Sequence, residues 1–411
     1  MFEPTLNPSQ SRVDRLQIAA LVGLMGLGAS FVYSATMVRE AAATAAWYNQ
    51  SWVRQIVWYG LGIGAGAAVC VIDYRKWARW SLALYWLALL PVAAVLSPKI
   101  GTTHGWGAMR WIDLGFFQFQ PSEFAKLAFI LAEAHFLSRP AEELRLPSVF
   151  AKALGLMALP FLLILKEPDL GSALVFVPTA LAMLFVAGVP RRYLAQLLGG
   201  VGLLGALFLV DVLYAPPNWQ IFRLQDYQRR RLLVYFDREY TSTLPPGVPA
   251  AELERLKKEL RKQQFDDSHN VRQALISVGS GGLTGKGWRQ GTQNALGYLP
   301  RAVAHNDFIF SVIAEETGFV GSVLVLALYG TVLFSGIRIA GQARDRLGRL
   351  LAVGVVTLLF SHVFINIGMN IRLMPVTGVP LPLLSYGGSS VLGSLIAIGW
   401  LQNVFIYRKA Y

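Results

Sequence analysis

Residues 273–321 hold the densest group of residues that could do chemistry in this chain. The segment has glycines at positions 279, 281, 282, 285 and 287, with Lys286 inside this cluster. Asp307 follows at the start of an apolar run. Glycine lets a backbone approach a ligand closely, and a lysine can meet phosphate as a point charge. The Walker pattern is absent. The segment therefore predicts either a phosphate-binding loop or a turn without a ligand.

Two more carboxylates are placed where they could act with a cation. Glu123 and Lys126 follow Pro121 and are three residues apart, which puts both on one face of a helix's first turn. A structural salt bridge is the alternative, although ionisable residues within apolar runs are costly and usually functional. Asp169 opens another apolar run in KEPDLGSA, where pairing with the helix dipole is the simpler interpretation.

The last polar segment, residues 374–390, carries no charge and has prolines at 375, 380 and 382. Such a segment is unfavourable against lipid, so it is predicted to cover a cavity or to pack inside the protein. On the apolar run before it, His362, Asn366 and Asn370 recur at every fourth position. This spacing gives the helix one polar face, which is most often an interhelical contact.

The elements that must position these residues are membrane helices. Of 411 residues, 54% are hydrophobic and 15% are charged, against about 25% charged residues in soluble domains. The charges gather in short clusters between long apolar runs, which is typical of a polytopic membrane protein. The net charge of +13 fits an excess of Lys and Arg on cytoplasmic loops, so no nucleic acid is expected as a partner. The single cysteine, Cys70, excludes an internal disulfide.

Ten apolar runs have a length close to the ~20 residues that cross a bilayer core. They span residues 16–36, 53–72, 80–96, 122–138, 148–165, 169–188, 193–214, 318–336, 350–374 and 388–407. Short basic connections alternate with connections poor in charge, which predicts that both termini lie in the cytoplasm. The basic connections hold Arg12 and Arg15; Arg75, Lys76 and Arg79; Arg139 and Arg145; Arg191 and Arg192; Arg338, Arg344, Arg346 and Arg349; and Arg408 and Lys409.

The predicted fold is therefore an all-α polytopic membrane protein, with about ten transmembrane helices in a single domain, residues 1–411. A large extracytoplasmic loop, residues 215–306, separates helices seven and eight, and residues 249–264 within it are predicted to form a short helix. The candidate residues then gather at the outer face, together with Arg54 and Arg110. Snorkelling to the membrane surface explains Arg54 equally well.

Cations and carboxylates at an outer membrane surface suit a lipid substrate with a phosphate head group, but they do not identify a sugar polymer. A transporter that flips a lipid-linked sugar is the main alternative. Transport requires polar groups near the membrane midplane, whereas the ionisable groups here gather at the outer end, which favours an enzyme. A membrane scaffold would explain the long loop but not the clustered carboxylates.

Five segments resemble, in order, the motifs of the SEDS family (shape, elongation, division, sporulation) of cell-wall polymerases. The segments are WVRQIVWYGLG, GAMRWIDLGFFQFQPSEFAK, KEPDLGSALVF, GSGGLTGKG with GTQ and HNDF after it, and PVTGVPLPLLSYGGSS. They extend from Trp52 to the last apolar run. Their form looks more like the RodA-like branch of the family than the FtsW-like division branch.

The resemblance implies a multi-pass peptidoglycan glycosyltransferase of the cytoplasmic (inner) membrane, acting in cell elongation and rod shape. Its substrates would be lipid II and an undecaprenyl-diphosphate-linked glycan, joined at the outer face with release of undecaprenyl diphosphate. Its partners would be a class B penicillin-binding protein, which is a transpeptidase, and membrane proteins of the elongation complex. No cofactor is implied with certainty, and a divalent cation, Mg²⁺ or Mn²⁺, is left open. An FtsW-like division polymerase is the nearest alternative.

The resemblance also assigns site residues. The catalytic aspartate of the family's HTDF motif corresponds to Asp307 in HNDF, and the Glu and Lys of PSExxK correspond to Glu123 and Lys126. The residues expected to bind substrate are Arg54, Arg110, Asp169, Lys286, Ser385 and Ser389. An aspartate with a pKa of about 3.9 is a poor base near neutral pH. Partial burial, or a neighbouring carboxylate such as Glu123, is therefore expected to raise the pKa of Asp307.

The chain departs from the family pattern at several positions. LPRAVAHNDF stands where LPExHTDF is usual, with Arg301 in place of the glutamate, two additional residues, and Asn306 in place of the threonine. Arg372 stands where a small residue is usual, and the stretch 239–267 is longer than usual for the RodA-like branch. These departures affect the geometry of the outer loops and leave Asp307 in place.

Overall fold

The structure is a computed structural model that describes residues 13–37, 46–97, 99–102, 109–115, 117–215, 221, 226–240, 250–299 and 304–409. The described chain is almost entirely helical, because an apolar segment in a membrane must satisfy its backbone hydrogen bonds within itself. The helices are α1 (Arg15–Met37), α2 (Ser51–Val71), α3 (Tyr74–Arg79), α4 (Ser81–Val95), α5 (Pro121–Leu137), α6 (Pro147–Lys166), α7 (Leu170–Leu174), α8 (Phe176–Ala187), α9 (Arg191–Tyr214), α10 (Asp226–Tyr235), α11 (Ala250–Ser280), α12 (Thr292–Ala295), α13 (Ile309–Gln342), α14 (Arg346–Asn370) and α15 (Gly388–Ile406). Two positions named above, Arg12 and Arg301, lie outside the described residues.

All ten predicted apolar runs are helical. Within the described residues, seven spans are long and apolar enough to cross a membrane: α1, α6, α7 with α8, α9, α13, α14 and α15. The other three predicted runs correspond to α2, α4 and α5. The chain is therefore an all-α polytopic membrane protein, as predicted, while the side of the membrane on which its termini lie stays a prediction.

Helix α13 begins at Ile309, earlier than the predicted start at Gly318. Gly318 instead marks a kink inside the helix, with φ 67° and ψ −159°. A Cβ there would lie 2.3 Å from the backbone nitrogen of Gly285, so only glycine fits. The predicted run started too late because Glu315 and Glu316 interrupt the apolar pattern in the first turns of the helix.

The large outer loop contains two helices, α10 and α11. Because α11 has 31 residues, the prediction of a short helix over 249–264 was wrong about its length, and Pro249 lies outside the described residues. The sequence from Ala250 to Val278 contains no glycine or proline, so nothing local ends the helix earlier. A small apolar cluster joins α10 to α11, and it consists of Leu233, Val234 and Tyr240 with Leu213, Leu260 and Val271 packed against them.

The basic connections come together at one end of the helix bundle. Arg75 Nε donates to Asp345 Oδ2 at 2.8 Å, and Arg346 Nη1 donates to the carbonyl of Arg139 at 2.7 Å. The central helices α5, α14 and α15 are mostly buried, and α14 runs from this end to Asn370 at the other. The separation of the two ends agrees with the alternation of basic and uncharged connections in the sequence.

A three-stranded antiparallel sheet lies on the outer side of α5. Its strands are β1 (Gly101–Thr102), β2 (Trp111–Asp113) and β3 (Gln118–Phe119), in the order β1-β2-β3. Ile112 pairs with Gly101 on one side and with Phe119 on the other. The sheet was not predicted, because its strands have only two or three residues each.

Candidate active site

A cavity of about 370 Å³ opens at the end of the helix bundle opposite the basic connections. Its walls come from the first turns of α2, from β2 and β3, from the turn before α13 and from the loop before α15. The lining residues are Arg54, Trp58, Trp111, Asp113, Gly115, Phe117, Gln118, Gln120, Asn306, Asp307, Gly378, Pro380, Tyr386, Gly387, Gly388, Ser389 and Ser390. The cavity thus combines one carboxylate from the turn before α13 with cationic, aromatic and hydroxyl groups. The uncharged loop 374–390 covers it, as predicted.

Asp307 is held in the cavity by its main chain. Its carbonyl oxygen accepts hydrogen bonds from Asn366 Nδ2 at 3.2 Å and from Asn370 Nδ2 at 3.0 Å, both on α14. Ser311 Oγ donates to Asn370 Oδ1 at 2.6 Å and so fixes the orientation of that amide. The polar face predicted on this helix therefore positions the candidate base, which is more specific than a general interhelical contact.

The surroundings of Asp307 raise its pKa above the ordinary value, chiefly because burial disfavours the charged carboxylate. The charges of Arg231 and Arg110 oppose this shift, and the carboxylate of Asp169 adds to it. The expected effect of burial is confirmed. The neighbouring carboxylate that acts on Asp307 is Asp169, so the expectation that Glu123 fills this role was wrong.

The side chains of Asp307 and Arg110 both lie close to Gly378. A Cβ on Gly378 would lie 3.5 Å from Asp307 Oδ2 and 3.8 Å from Arg110 Nη1. The glycine also has a φ of +77°, which is unfavourable for other residues. The sequence predicts that the segment PVTGVP belongs to a loop over a cavity, but it does not single out this glycine.

Arg110, Asp169 and Glu167 form a charged group beside the cavity. Arg110 Nη2 donates to the carbonyl of Pro168 at 2.7 Å, and its Nη1 lies 3.7 Å from Asp169 Oδ1. Asp169 also accepts from the backbone nitrogen of Ser172 at 3.1 Å, so it caps α7 as well. The helix-terminus interpretation of Asp169 therefore holds in the structure, while its role in substrate binding stays a prediction.

Glu167 was missed from the sequence. Its side chain is fully buried, and within the described residues neither carboxylate oxygen has a hydrogen-bond partner. Burial raises its pKa to about 9, Asp169 adds to the shift and Arg110 opposes it. Glu167 is consequently protonated at neutral pH. The only signal in the sequence is its position two residues before Asp169 in KEPD.

Glu123 and Lys126 form a buried pair that does not line the cavity. Lys126 Nζ lies 2.7 Å from Glu123 Oε1 and 2.9 Å from His362 Nε2. An ammonium group only donates, so His362 is neutral and accepts at Nε2. The pair ties α5 to α14, the helix that holds Asp307, and this contact corresponds to the structural salt bridge that the sequence left open.

The two candidate serines connect loops at the cavity. Ser385 Oγ donates to the carbonyl of Asn306 at 2.6 Å and accepts from the backbone nitrogen of Leu381 at 2.8 Å, so it supports the residue before Asp307. Ser389 Oγ accepts from the backbone nitrogen of Gln120 at 2.9 Å and lines the cavity at the start of α15. Arg54 lines the same cavity, with its Nη2 2.8 Å from Asn49 Oδ1.

Lys286 is not among the cavity-lining residues. Its Nζ lies 2.5 Å from Glu315 Oε1 and 2.6 Å from Thr292 Oγ1. The glycine cluster packs against the first turns of α13, and a Cβ on Gly281 would lie 2.0 Å from the carbonyl oxygen of Ala314. The structure thus separates Lys286 from the other candidates and gives it a carboxylate partner instead of a free approach to phosphate.

The described part of the chain contains no group of three or more His, Cys, Asp or Glu side chains that could hold a metal ion. Asp113 and Asp307 are the carboxylates that line the cavity, and Asp169 lies beside it, paired with Arg110.

Comparisons with known proteins match nearly the whole chain. A model of the FtsW/RodA/SpoVE family, described as "Cell cycle protein", matches residues 14–410. Peptidoglycan glycosyltransferase MrdB of Escherichia coli (strain K12) is 34% identical over 386 residues, which cover 94% of this chain and 93% of that protein.

Two solved structures are similar in fold. The crystal structure of the Thermus thermophilus rod shape determining protein RodA has a TM-score of 0.65 and 28% identity, covering 98% of this chain and 100% of that one. A chain from a structure described as "Structural coordination of polymerization and crosslinking by a peptidoglycan synthase complex" has a TM-score of 0.70 and 30% identity, covering 97% and 99%. The chain therefore belongs to the FtsW/RodA/SpoVE family of cell cycle proteins.

Proposed function

We propose that this protein is a peptidoglycan glycosyltransferase that polymerises lipid II at the outer face of the cytoplasmic membrane, with Asp307 as the general base. The observation that carries the proposal is the position of Asp307, a half-buried carboxylate of raised pKa beside Arg110 in an aromatic-lined cavity. Membership of a family with relatives named peptidoglycan glycosyltransferases supports the same conclusion.

In the proposed reaction, the Asp307 carboxylate takes the proton from a hydroxyl of the acceptor sugar. The hydroxyl oxygen then bonds to the anomeric carbon of the lipid-linked strand. The bond between that carbon and the phosphate oxygen breaks, and the diphosphate leaves with the electron pair. A base with a raised pKa is better matched to this proton transfer near neutral pH than a free aspartate is.

The negative charge of the leaving diphosphate requires compensation. Arg54 and Arg110 are the proposed cationic ligands, since Arg54 lines the cavity and Arg110 lies beside Gly378. Helix α15 begins at Gly388 inside the cavity, and the N-terminus of a helix favours anions. A divalent cation, Mg²⁺ or Mn²⁺, would need oxygen ligands from the substrate in addition to Asp307 or Asp169.

The lipid chain of the substrate has a proposed path next to the cavity. An apolar groove of about 550 Å³ is lined mainly by α4, α5 and α15, with Phe119 and Phe124 at its margin. Phe119 stacks on Phe124 with centroids 5.0 Å apart, and Phe117, 6.1 Å from Phe119, lines the polar cavity. Polar and apolar binding surfaces thus adjoin, as a lipid-linked sugar requires.

The proposed setting is the inner membrane, in a complex with a class B penicillin-binding protein. The described residues contain seven helical spans that are long and apolar enough to cross a membrane, and they include no soluble domain that could crosslink peptides. The similar structure described as a peptidoglycan synthase complex couples polymerisation to crosslinking. We favour a role in elongation over division because the motifs are closer to the RodA-like branch.

Purified protein in liposomes with lipid II provides the test. Wild-type protein is expected to produce glycan strands, and Asp307→Asn is expected to reduce the rate about 10²–10⁴-fold, as loss of a general base does. Both proteins should bind lipid II and unfold at similar temperatures. Near-normal polymerisation by Asp307→Asn would refute the assignment. Lipid II translocation without polymerisation by the wild-type protein would instead identify a transporter.

A further inference from the structure

The outer-loop helix α10 is docked on the segment that leads from α14 to Gly378. Arg231 Nη1 donates to the carbonyl of Val376 at 3.3 Å, and Tyr235 Oη donates to the carbonyl of Leu373 at 2.9 Å. The Val376 carbonyl belongs to the loop that covers the cavity, and the Leu373 carbonyl lies directly before that loop. The side chains of α10 therefore hold the backbone on which Gly378 is carried.

An ion pair follows directly after α10. Arg372 Nη2 lies 2.5 Å from Asp237 Oδ1. Both residues have a positive φ, 60° for Arg372 and 51° for Asp237, which is uncommon for residues other than glycine. Arg372 is also the position where the family pattern has a small residue. Arg372 therefore adopts an unfavourable backbone conformation at the position from which its side chain pairs with Asp237.

The docked helix is itself supported. Tyr240 Oη donates to the carbonyl of Arg230 at 3.3 Å, and Gln264 of α11 binds the backbone on both sides of Glu239. The apolar cluster between α10 and α11 packs from the other side. Helix α11 in turn packs on the membrane core through Ala274, which is fully buried. The position of Arg231 is consequently fixed by packing.

Arg231 lies in a small cleft next to the cavity. The cleft is lined by Arg110, Pro168, Leu170, Arg231, Leu232, Pro375, Val376 and Thr377. Among the groups that act on Asp307, Arg231 and Arg110 lower its pKa, with Arg231 the larger influence, while burial and Asp169 raise it. Arg231 therefore favours the ionised form of the base against the effect of burial.

We propose that Arg231 is a positioning residue of the active site, delivered by the outer-loop helix α10, and that the Asp237–Arg372 ion pair latches this helix onto the cavity cover. The inference rests on the proposed function, because it assigns Arg231 a role through Asp307. In this role, Arg231 favours the ionised form of the base and holds the Val376 carbonyl, and through it the backbone that carries Gly378.

The decisive measurement is the pH dependence of lipid II polymerisation by full-length protein in liposomes. Arg231→Gln removes the charge, so the acid limb of the kcat/KM profile is expected to move to higher pH by roughly 0.5–1 unit. Arg231→Lys keeps the charge and should return the limb towards its original position. Arg255→Gln is the matched control, because Arg255 lies on α11 with its side chain 83% exposed; its profile should match the wild type.

An Arg231→Gln profile with an unmoved acid limb would overturn the proposal, as would a failure of Arg231→Lys to restore it. Should Arg231→Gln fold poorly, Arg231→Met, which retains the apolar length of the side chain, carries the same test. The two proposals fail separately. If Asp307→Asn remains active, the assignment of Asp307 as the base is refuted. If Asp307→Asn is inactive but Arg231→Gln leaves the pH profile unchanged, only the role of Arg231 is refuted.

The latch is tested by reversing its charges. Asp237→Arg and Arg372→Asp, made singly, are each expected to lower kcat/KM by up to about fivefold, since the ion pair is exposed. The double variant restores the pair with opposite polarity and should recover most of the loss. Additive losses in the double variant would show that the two residues do not act as a latch.

Discussion

Asn370 holds the backbone of Asp307 from a helix of the membrane core, with its Nδ2 3.0 Å from the aspartate's carbonyl oxygen. Asn366 binds the same oxygen and also donates to the carbonyl of Val379 at 2.8 Å. One helix face therefore sets the position of both the base and the loop over it. The carboxylate of Asp307 makes none of these hydrogen bonds. A mutation of Asn370 therefore changes where the base lies, whereas a mutation of Asp307 removes the base.

Asn370→Ala should lower kcat about 10–100-fold with KM changed much less, because a misplaced base lowers the rate more than binding. Steady-state kinetics on lipid II measure both constants. Ser311→Ala is the matched control, since it removes only the hydroxyl that orients the Asn370 amide, and its effect should be smaller. An unchanged kcat in a folded Asn370→Ala protein would show that α14 does not position the base.

Gly378→Ala should inactivate the enzyme more than it destabilises it. The added methyl group would contact Asp307 Oδ2 and Arg110 Nη1 while forcing a non-glycine residue to a φ of +77°. Gly188→Ala is the control, because Gly188 has a φ of +88° and open space around a Cβ. Both variants should lose about 1 kcal/mol from backbone strain. Polymerisation should fall at least tenfold only in Gly378→Ala, because only its methyl group would touch the base and Arg110, and equal activities would contradict a role for this contact.

The helices over the ten apolar runs were predictable because a single long apolar run can satisfy its backbone hydrogen bonds in a bilayer only as a helix. The start of α13 was not, since Glu315 and Glu316 are polar yet buried by the glycine cluster folding onto them. A hydropathy pattern shows that a side chain is polar, but it does not show whether a distant segment supplies the hydrogen-bond partners that allow this side chain to be buried. The same limit hid the partner of Lys286, because spacing does not distinguish a phosphate from a distant carboxylate.

The candidate site was partly predictable. Asp307, Arg54 and Ser389 meet at one cavity, as the outer-face grouping indicated. Arg231 and Glu167 were missed because each reaches the site from a different loop, and their sequence neighbours give no sign of the contact. The spacing of Glu123 and Lys126 predicted that they pair, but it did not predict that the pair is buried. Helical spacing shows which residues share a face and does not show which other helices pack on that face.

Lys286→Met should destabilise the protein, because it leaves the fully buried Glu315 without its cation. The cost is expected to reach about 3 kcal/mol, as for breaking a largely buried ion pair. Adding Glu315→Gln removes the stranded charge and should recover stability. Thermal unfolding in detergent measures this, alongside lipid II polymerisation. If Lys286→Met kept its stability but bound lipid II poorly, Lys286 would be a phosphate ligand after all.

The membrane orientation can be measured on α11. A cysteine in place of Lys258, in a Cys70→Ser background, should react with an impermeant thiol reagent added outside intact cells. This follows from the basic connections at the opposite end of the bundle. A cysteine in place of Arg346, at the start of α14, is the matched control and should react only after lysis. The reverse pattern would invert the topology.

Glu167 should make the stability of the protein fall as pH rises. Its pKa is about 9 in the folded protein, raised by burial from the ordinary 4.5. Between these values the folded state holds a proton that the unfolded state has lost, so stability is greatest below about pH 4.5 and is lost as the pH approaches 9. Glu167→Gln keeps the neutral shape at every pH and should remove this dependence.

The measurement is the unfolding temperature of wild type and Glu167→Gln in detergent from pH 5 to pH 9. The variant is expected to match the wild type near pH 5, where both side chains are neutral, and to exceed it increasingly towards pH 9. Glu143→Gln serves as the control, since Glu143 is an exposed carboxylate whose side chain is 49% accessible. Its curve should parallel the wild type. Parallel curves for Glu167→Gln as well would mean that Glu167 is ionised in the folded protein and has a cationic partner.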